Sequence, residues 1–302
     1  MKVAVDLDEL VAAGQLSPAD AANLRGHSTR DTVSGGVSTI VTFGVLAIVA
    51  SVVVLLNSAR WSLLTGMALA AVAVAAEQLE QNGWRTLRQS LLIIGALLAA
   101  SGFLILSHGT SVSWIMTAAA LLALSLVASS GFVAVLAAIA AGPALNSSMG
   151  YSHAMYAVMV QRPMLSIAIY GVMAFLGYQA SVRLPQLAKP FISFSRASLF
   201  LAQFGFWVGS LWGDPAGFES TADMSRVSPS FFALAWAVTL AAVGVWAARA
   251  NRRWVANLCA VFGMIDFYTQ WFERLSASPT SVLVAGVITL GVGIALARYN
   301  RR

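Results

Sequence analysis

Long apolar runs follow one another along this chain from residue 37 to residue 298, with only short polar breaks between them. A helix that crosses a bilayer needs about 20 mostly apolar residues, because the hydrocarbon core is about 30 Å thick. Backbone polar groups in lipid must bond within the chain, so such runs are typical of membrane-spanning helices. We number them one to ten: 37–56, 62–79, 90–106, 112–129, 131–145, 164–180, 191–212, 229–248, 254–272 and 280–298.

Composition indicates the same class of protein. Hydrophobic residues make up 59% of the chain and charged residues 10%, whereas soluble domains carry about 25% charged residues. The sequence predicts an all-α, polytopic membrane protein with about ten transmembrane helices. We expect a cytosolic helix pair in residues 1–36 and a transmembrane bundle in residues 37–302. Abundant alanine and arginine favour a bacterial source and therefore the cytoplasmic (inner) membrane.

Apolar runs four and five are separated only by Ser129, Ser130 and Gly131. A single helix over residues 112–145 would be 34 residues long, or roughly 51 Å at 1.5 Å per residue. Because that length far exceeds the hydrocarbon core, the sequence predicts a tight helical hairpin here.

The distribution of basic residues supports ten spans with both termini in the cytosol. With that topology, 14 of the 18 Lys and Arg residues lie inside and 4 outside. Merging runs four and five gives 8 inside and 10 outside, which contradicts the positive-inside rule. The net charge of +6 therefore indicates topology, and we predict the lipid bilayer as a partner and no nucleic acid.

The soluble N-terminal segment carries the signals of two short helices. Gly14 is a stop for a first helix, and Ser17, Pro18 and Asp20 are a cap residue, a first helical position and an acid in the first turn. A pair this short cannot bury a core by itself. We therefore expect residues 7–25 to bind the membrane domain or a protein partner.

Asp266 lies about twelve residues inside run nine. A carboxylate at a helix centre costs about 2.5–3.5 kcal/mol on insertion scales, so it usually faces a bundle interior. Steps of three and four residues from Asp266 reach small or polar residues, among them Cys259, Gly263 and Gln270. Three interpretations remain open: a buried Asp bonded for packing, a site for a substrate, proton or ion, and a position at the outer margin of the helix.

Run seven carries a polar stripe that can face run nine. Arg196, Gln203 and Trp207 follow one another at helical spacing. Arg196 can also extend its charge to the cytosolic surface, whereas the amide of Gln203 lies deep and needs a partner. The predicted polar pocket, which would bind a small molecule or an ion, consists of Asp266, Gln203, Gln270, Trp207 and Arg196.

Glu77, near the cytosolic end of run two, is a secondary candidate for proton-linked chemistry, with local ion pairing as the alternative. No catalytic or phosphate-binding motif is present, which argues against an enzyme. The three histidines lie in separate loops and Cys259 is the single cysteine, so we predict no metal site and no cofactor.

Three stretches carry a resemblance: GQLSPADAANL over Gly14–Leu24, NSARW over Asn57–Trp61, and the C-terminal FYTQWFERL and ARYNRR. Together they resemble a family of bacterial membrane proteins of unknown function with a short N-terminal cytosolic helix pair. The resemblance implies a multi-helix inner-membrane protein and implies no activity.

The architecture, ten helices with both termini inside, is similar to that of the drug/metabolite transporter superfamily, which is built from two inverted five-helix repeats. Such folds bind substrate near the bilayer midplane. The favoured function is transport or sensing of a small solute through the pocket between helices seven and nine. The alternative is a non-catalytic accessory or scaffold subunit that binds a partner through its N-terminal helix pair; a membrane-embedded enzyme comes third.

Overall fold

The computed structural model describes residues 7–12, 14–24, 44, 51, 58–76, 85–145, 147–152, 155–214, 227–250, 252–275 and 278–301. The chain divides into two compact units, Met1–Gly109 and Thr110–Arg302. The division predicted at residue 36 stays a prediction, because residues 25–43 lie outside the described residues. Nearly all of apolar run one also lies outside the described residues. Of this run only Gly44 and Ser51 are described, and both are helical.

Helices at apolar runs two to ten form the body of both units. The first unit contains α1 (Leu7–Ala12), helical residues 18–24, α2 (Ala59–Ala75) and α3 (Arg85–Leu106). The second unit contains α4 (Ser111–Val127), α5 (Gly131–Ala140), β1 (Ser147–Ser152), β2 (Met155–Val160), α6 (Pro163–Arg183), α7 (Ala188–Trp212), α8 (Pro229–Arg249), α9 (Arg253–Leu275) and α10 (Pro279–Arg301). Labels α2 to α10 thus keep the numbers of the runs.

Local capping produces the N-terminal helix pair. Gly14 has φ +69°, and its N–H donates to the carbonyl of Val11 at 3.1 Å, which ends α1 in the conformation that glycine adopts most readily. The next helix starts at Ser17, whose Oγ accepts the N–H of Asp20 at 3.1 Å and donates to its carboxylate at 2.6 Å. The predicted helix end and helix start are both confirmed.

Glycines bring the backbones of α2 and α3 into direct contact. A Cβ on Gly66 would collide with the backbone N of Ala99 and would lie 2.7 Å from the carbonyl O of Gly95. A Cβ on Gly95 would lie 2.6 Å from the N of Ala70, and one on Gly102 would lie 2.5 Å from the N of Leu63. Small residues at this spacing allow close approach of membrane helices.

The predicted break between runs four and five is confirmed. Helix α4 ends at Val127 and Ser129 takes φ +45°. Ser130 then caps α5 by accepting the N–H of Val133, and α5 packs back against α4.

Contacts at its two ends give the direction of α5 relative to α6 and α7. A Cβ on Gly131 would lie 2.5 Å from Oγ of Ser193, near the start of α7. Beyond the other end of α5, Oγ of Ser147 lies 3.0 Å from Oγ of Ser166, near the start of α6. Because α6 and α7 form an antiparallel pair, residues 131–147 lead from one end of that pair to the other.

A short antiparallel hairpin follows in the segment between runs five and six. β1 pairs with β2 in the register from Ser147↔Val160 to Ser152↔Met155. The sequence of β2, MYAVMV, is apolar throughout and includes two valines and a tyrosine, residue types that favour a strand. The all-α prediction holds for the body of the protein, and this hairpin is an addition to it.

Helix α7 packs between α6 and α8 through its two glycines. A Cβ on Gly205 would lie 2.8 Å from a side-chain carbon of Ile167 on α6, and one on Gly209 would lie 2.6 Å from the ring of Phe232 on α8. The GxxxG pair of run seven therefore serves two different neighbours.

Asp214 connects the end of α7 with the starts of α6 and α8. This junction lies at the end of the α6–α7 pair that is opposite the turn between α6 and α7. Oδ2 of Asp214 accepts the N–H of Met164 at 2.7 Å, in the first turn of α6, where a negative charge is favoured. Its backbone exchanges two hydrogen bonds of 3.1 Å with Val227, just before α8. Gly213 makes this possible, because it has φ +75° and a Cβ there would lie 2.6 Å from the carbonyl O of Val227.

Apolar side chains cover the outside of the second unit, and small polar side chains lie within it. Leu234 and Val238 on α8 are 67% and 59% exposed, whereas Ser166, Ser198 and Gln203 are buried. Exposed apolar surface on this scale indicates a lipid environment.

Four helices in the described part of the chain are long and apolar enough to cross a bilayer: Leu87–Leu106, Pro163–Arg183, Pro185–Trp212 and Pro229–Arg249. These are the helices of a membrane protein. Helix α9 is not among them, because Asn257, Asp266 and Gln270 lower its hydropathy.

Candidate functional site

One face of α9 carries the polar and small residues that the sequence singled out. Asp266 lies on this face and is 6% exposed. Gly263 and Cys259 lie one and two turns before it, and Gln270 lies one turn after it. The face borders an open groove of about 790 Å³, which we call the α8–α9 groove.

Both walls of the α8–α9 groove consist mostly of small or apolar side chains. Those of α8 are Ala237, Leu240, Ala241 and Gly244. Those of α9 are Ala256, Cys259, Ala260, Gly263, Asp266, Phe267, Gln270 and Trp271. Asp266 and Gln270 are therefore polar groups in an otherwise largely apolar site, the composition typical of pockets for small molecules.

Two glycines show where the walls meet and where they separate. A Cβ on Gly244 would lie 3.4 Å from Cβ of Cys259, so α8 and α9 are in van der Waals contact there. A Cβ on Gly263 would meet no atom within 4 Å. The free space therefore begins one turn before Asp266 on α9.

Gln203 on α7 has partners on α8 and on its own helix. Its Oε1 accepts the indole N–H of Trp236 at 2.7 Å, and its Nε2 donates to the carbonyl of Leu199 at 3.3 Å. Trp236 is fully buried. A deep amide thus satisfies the single donor of a buried indole, as buried polar groups in a bundle require.

Trp207 links α7 to α9 directly. Its Nε1 donates to Oγ1 of Thr269 at 3.1 Å. Trp207 also packs against a core formed by Trp236, Leu240, Cys259 and Phe262. Because Leu240 and Cys259 also line the groove, this core forms its floor on the side of α7.

Arg196 lies at the end of the bundle where α7 and α9 begin. Its guanidinium carbon is 5.1 Å from the ring centroid of Trp254, a cation–π distance. Nearby, Nη2 of Arg252 donates to Oη of Tyr178 at 3.2 Å. These contacts bring together the end of α6, the start of α7 and the turn between α8 and α9.

The structure thus separates the residues predicted to form one pocket. Asp266 and Gln270 line the groove, Gln203 and Trp207 belong to the packed layer of α7, and Arg196 contacts Trp254. The groove lies between α8 and α9, whereas the sequence pointed to a pocket between helices seven and nine. Glu77 lies outside the described residues.

The wall that α8 contributes to the groove was not predicted from the sequence. Its four lining residues, Ala237, Leu240, Ala241 and Gly244, follow one another at steps of three, one and three. That spacing places them on one helical face, but the residue types do not distinguish a groove from ordinary helix packing. Phe267 and Trp271 were also missed, as aromatic neighbours of the polar positions.

Within the part of the chain that the structure describes, no group of three or more His, Cys, Asp or Glu side chains is arranged to bind a metal ion. Comparisons with protein-family models, with curated proteins and with solved structures gave no match to this chain. The chemistry of the groove therefore has to be derived from its own residues.

Proposed function

We propose that this chain is a multi-span membrane protein that binds a small solute in the α8–α9 groove, in order to transport it or to sense it. One observation carries the proposal: the buried carboxylate of Asp266 lines a groove of about 790 Å³. Ligand pockets commonly measure about 300–1,000 Å³ and combine apolar walls with a few polar groups. An ionisable residue kept within a membrane helix is a functional candidate by default.

We further propose ten spans with both termini in the cytosol of a bacterial cell. The ends of α6 and α8 and the starts of α7 and α9 carry Arg183, Lys189, Arg249, Arg252 and Arg253. The contacts of Arg252 with Tyr178 and of Arg196 with Trp254 join these helix ends, which supports one basic end of the bundle. The positive-inside rule favours that end as the cytosolic one.

Reporter fusions test this topology. A fusion after Gly131 should report the cytosol and one after Ser147 the opposite side, because these residues contact opposite ends of the α6–α7 pair. Activity from a cytosolic reporter and an exported reporter at each position is the measurement. Both positions reporting the same side would contradict the ten-span proposal and reverse the topology of all later helices.

Access of water and small solutes to the groove tests the binding function. With Cys259→Ala as background, Gly263→Cys places a thiol in the free space of the groove, and Gly171→Cys places one on the exposed face of α6; both glycines have nothing within 4 Å of a Cβ. Only the thiolate reacts with maleimides, and it forms where water reaches. In lipid nanodiscs, Cys at 263 should react with N-ethylmaleimide at least about tenfold faster than Cys at 171.

Equal, slow rates at the two positions would mean that lipid or packing fills the groove, and this outcome would overturn the proposed function. The Cys259→Ala protein, which contains no thiol, measures the background. A sharp, single gel-filtration peak confirms that each variant is folded.

The alternative function, an accessory subunit that binds a partner through residues 7–25, stays a prediction. In the helix formed by residues 18–24, Ala21 is buried and Leu24 is 48% exposed. Membership of the bacterial family of unknown function, and the architectural likeness to drug/metabolite transporters, also stay predictions.

A further inference from the structure

We propose that the ligand of the α8–α9 groove is an organic cation with an apolar body. This inference rests on the proposed function, because it names the chemical class of the solute that the groove binds. Three features of the groove point to this class: the sign of its charge, its aromatic rings and its apolar walls.

The side chains that line the groove include an acidic residue and no basic residue. Its residues include one carboxylate, Asp266, and one amide, Gln270, and none of them is basic. Asp266 is 6% exposed, so its field acts in a medium of low dielectric constant. With an effective dielectric constant near 20 rather than 80, a charge is attracted about four times more strongly than in water. The groove therefore favours cations over anions of the same shape.

Two aromatic rings line the same groove as the carboxylate. Phe267 and Trp271 both line the groove, with ring centroids 5.1 Å apart and planes inclined by 51°. The face of an aromatic ring attracts a cation, and this holds for quaternary cations that donate no hydrogen bond. The lining of the groove thus contains two kinds of group that attract a cation, a carboxylate and aromatic rings.

The size and polarity of the groove exclude a bare metal ion as the best occupant. Hard cations need about six to eight oxygen ligands at about 2.3–2.6 Å, whereas Asp266 and Gln270 are the lining residues with side-chain oxygens. The remaining walls, such as Ala237, Ala241 and Ala260, are apolar. An organic cation suits both the apolar walls and the carboxylate, since its apolar body contacts the walls and its positive charge is attracted to Asp266.

A matched pair of ions tests whether the groove prefers a positively or a negatively charged ligand. Tetraphenylphosphonium and tetraphenylborate have nearly the same shape and opposite charges. With the Cys259→Ala, Gly263→Cys protein in nanodiscs, each ion is titrated against the rate of N-ethylmaleimide labelling. Tetraphenylphosphonium should protect the thiol, and tetraphenylborate should need at least about a tenfold higher concentration for the same protection.

Asp266→Asn, added to this protein, should raise the half-protecting concentration of tetraphenylphosphonium at least about tenfold, because it removes the charge and keeps the shape. Asp266→Glu, which keeps the carboxylate, should restore much of the protection. Protection in each variant is expressed relative to the labelling rate of that same variant without any ion, because removing a charge one turn from the thiol changes the fraction of thiolate. A single, sharp gel-filtration peak shows that each variant is folded. The two ions partition differently into lipid, but that partitioning does not depend on residue 266. A change in protection between the variants at residue 266 therefore reports binding of the ion to the protein.

The outcomes separate this inference from the function on which it rests. Equal protection by both ions, or protection unaffected by Asp266→Asn, would overturn the cationic class while leaving solute binding in place. A reactive thiol that neither ion protects would also overturn it. A thiol at 263 as unreactive as one at 171 would overturn the proposed function itself.

Discussion

Gly66→Ala should destabilise the protein by about 1–3 kcal/mol, the usual cost of overpacking a tight interface. The added methyl group would meet the backbone of Ala99 and Gly95, and backbone atoms cannot rotate away as a flexible side chain can. Helices α2 and α3 would have to move apart, and the contacts at Gly95 and Gly102 would weaken with them. The midpoint of thermal unfolding of the detergent-purified protein is the measurement.

The matched control is the same substitution at Gly171, which has nothing within 4 Å of a Cβ. Alanine favours a helix over glycine by about 1 kcal/mol, so Gly171→Ala should be neutral or slightly stabilising. If Gly66→Ala raised the unfolding midpoint as Gly171→Ala does, the backbone contact between α2 and α3 would be disproved.

Trp236→Ala should cost about 3–5 kcal/mol, the range measured for large aromatic residues in a core. Trp236 is fully buried, its ring is stacked on Phe206 at a centroid distance of 6.3 Å, and its N–H donates to Gln203. The substitution creates a cavity beside the α8–α9 groove and leaves the amide oxygen without this donor. We expect the variant to aggregate at temperatures where the parent protein remains monodisperse.

A double-mutant cycle isolates the hydrogen bond from the cavity. Trp236→Phe leaves the oxygen of Gln203 without its donor, and Gln203→Leu leaves the indole N–H of Trp236 without its acceptor. Each should cost about 1–3 kcal/mol, the penalty for a buried polar group that loses its partner. The double variant should cost less than the sum of the two. Strict additivity would show that the 2.7 Å contact contributes nothing.

Local signals in the sequence were sufficient for several parts of the fold. Gly14 and Ser17 mark a helix end and a helix start through hydrogen bonds to residues three positions away. Both partners of each bond therefore lie within the same short stretch of sequence. The break at Ser129 follows from the length of a span, which the bilayer fixes. The polar face of run nine follows from helical periodicity, and Asp266 and Gln270 indeed line one groove.

Long-range partners could not be predicted in the same way. Trp236 is 33 residues from Gln203, and Met164 is 50 residues from Asp214. Nothing in either local sequence selects the other residue. In a membrane, moreover, α8 is apolar on every face, because some faces meet lipid and others meet helices. Its pattern therefore does not reveal that α8, rather than α7, forms the second wall beside Asp266.

The junction at Asp214 makes the chain between residues 215 and 226 a suitable insertion point for a structural label. The carboxylate of Asp214 joins the end of α7 to the start of α6, and its two backbone bonds to Val227 join it to the start of α8. Asp214 thus connects the ends of three helices through its own hydrogen bonds. Lengthening a loop costs only about 0.6 kcal/mol per doubling of its length. A fiducial domain inserted there would leave the three helix ends joined and the groove, formed by α8 and α9, undisturbed.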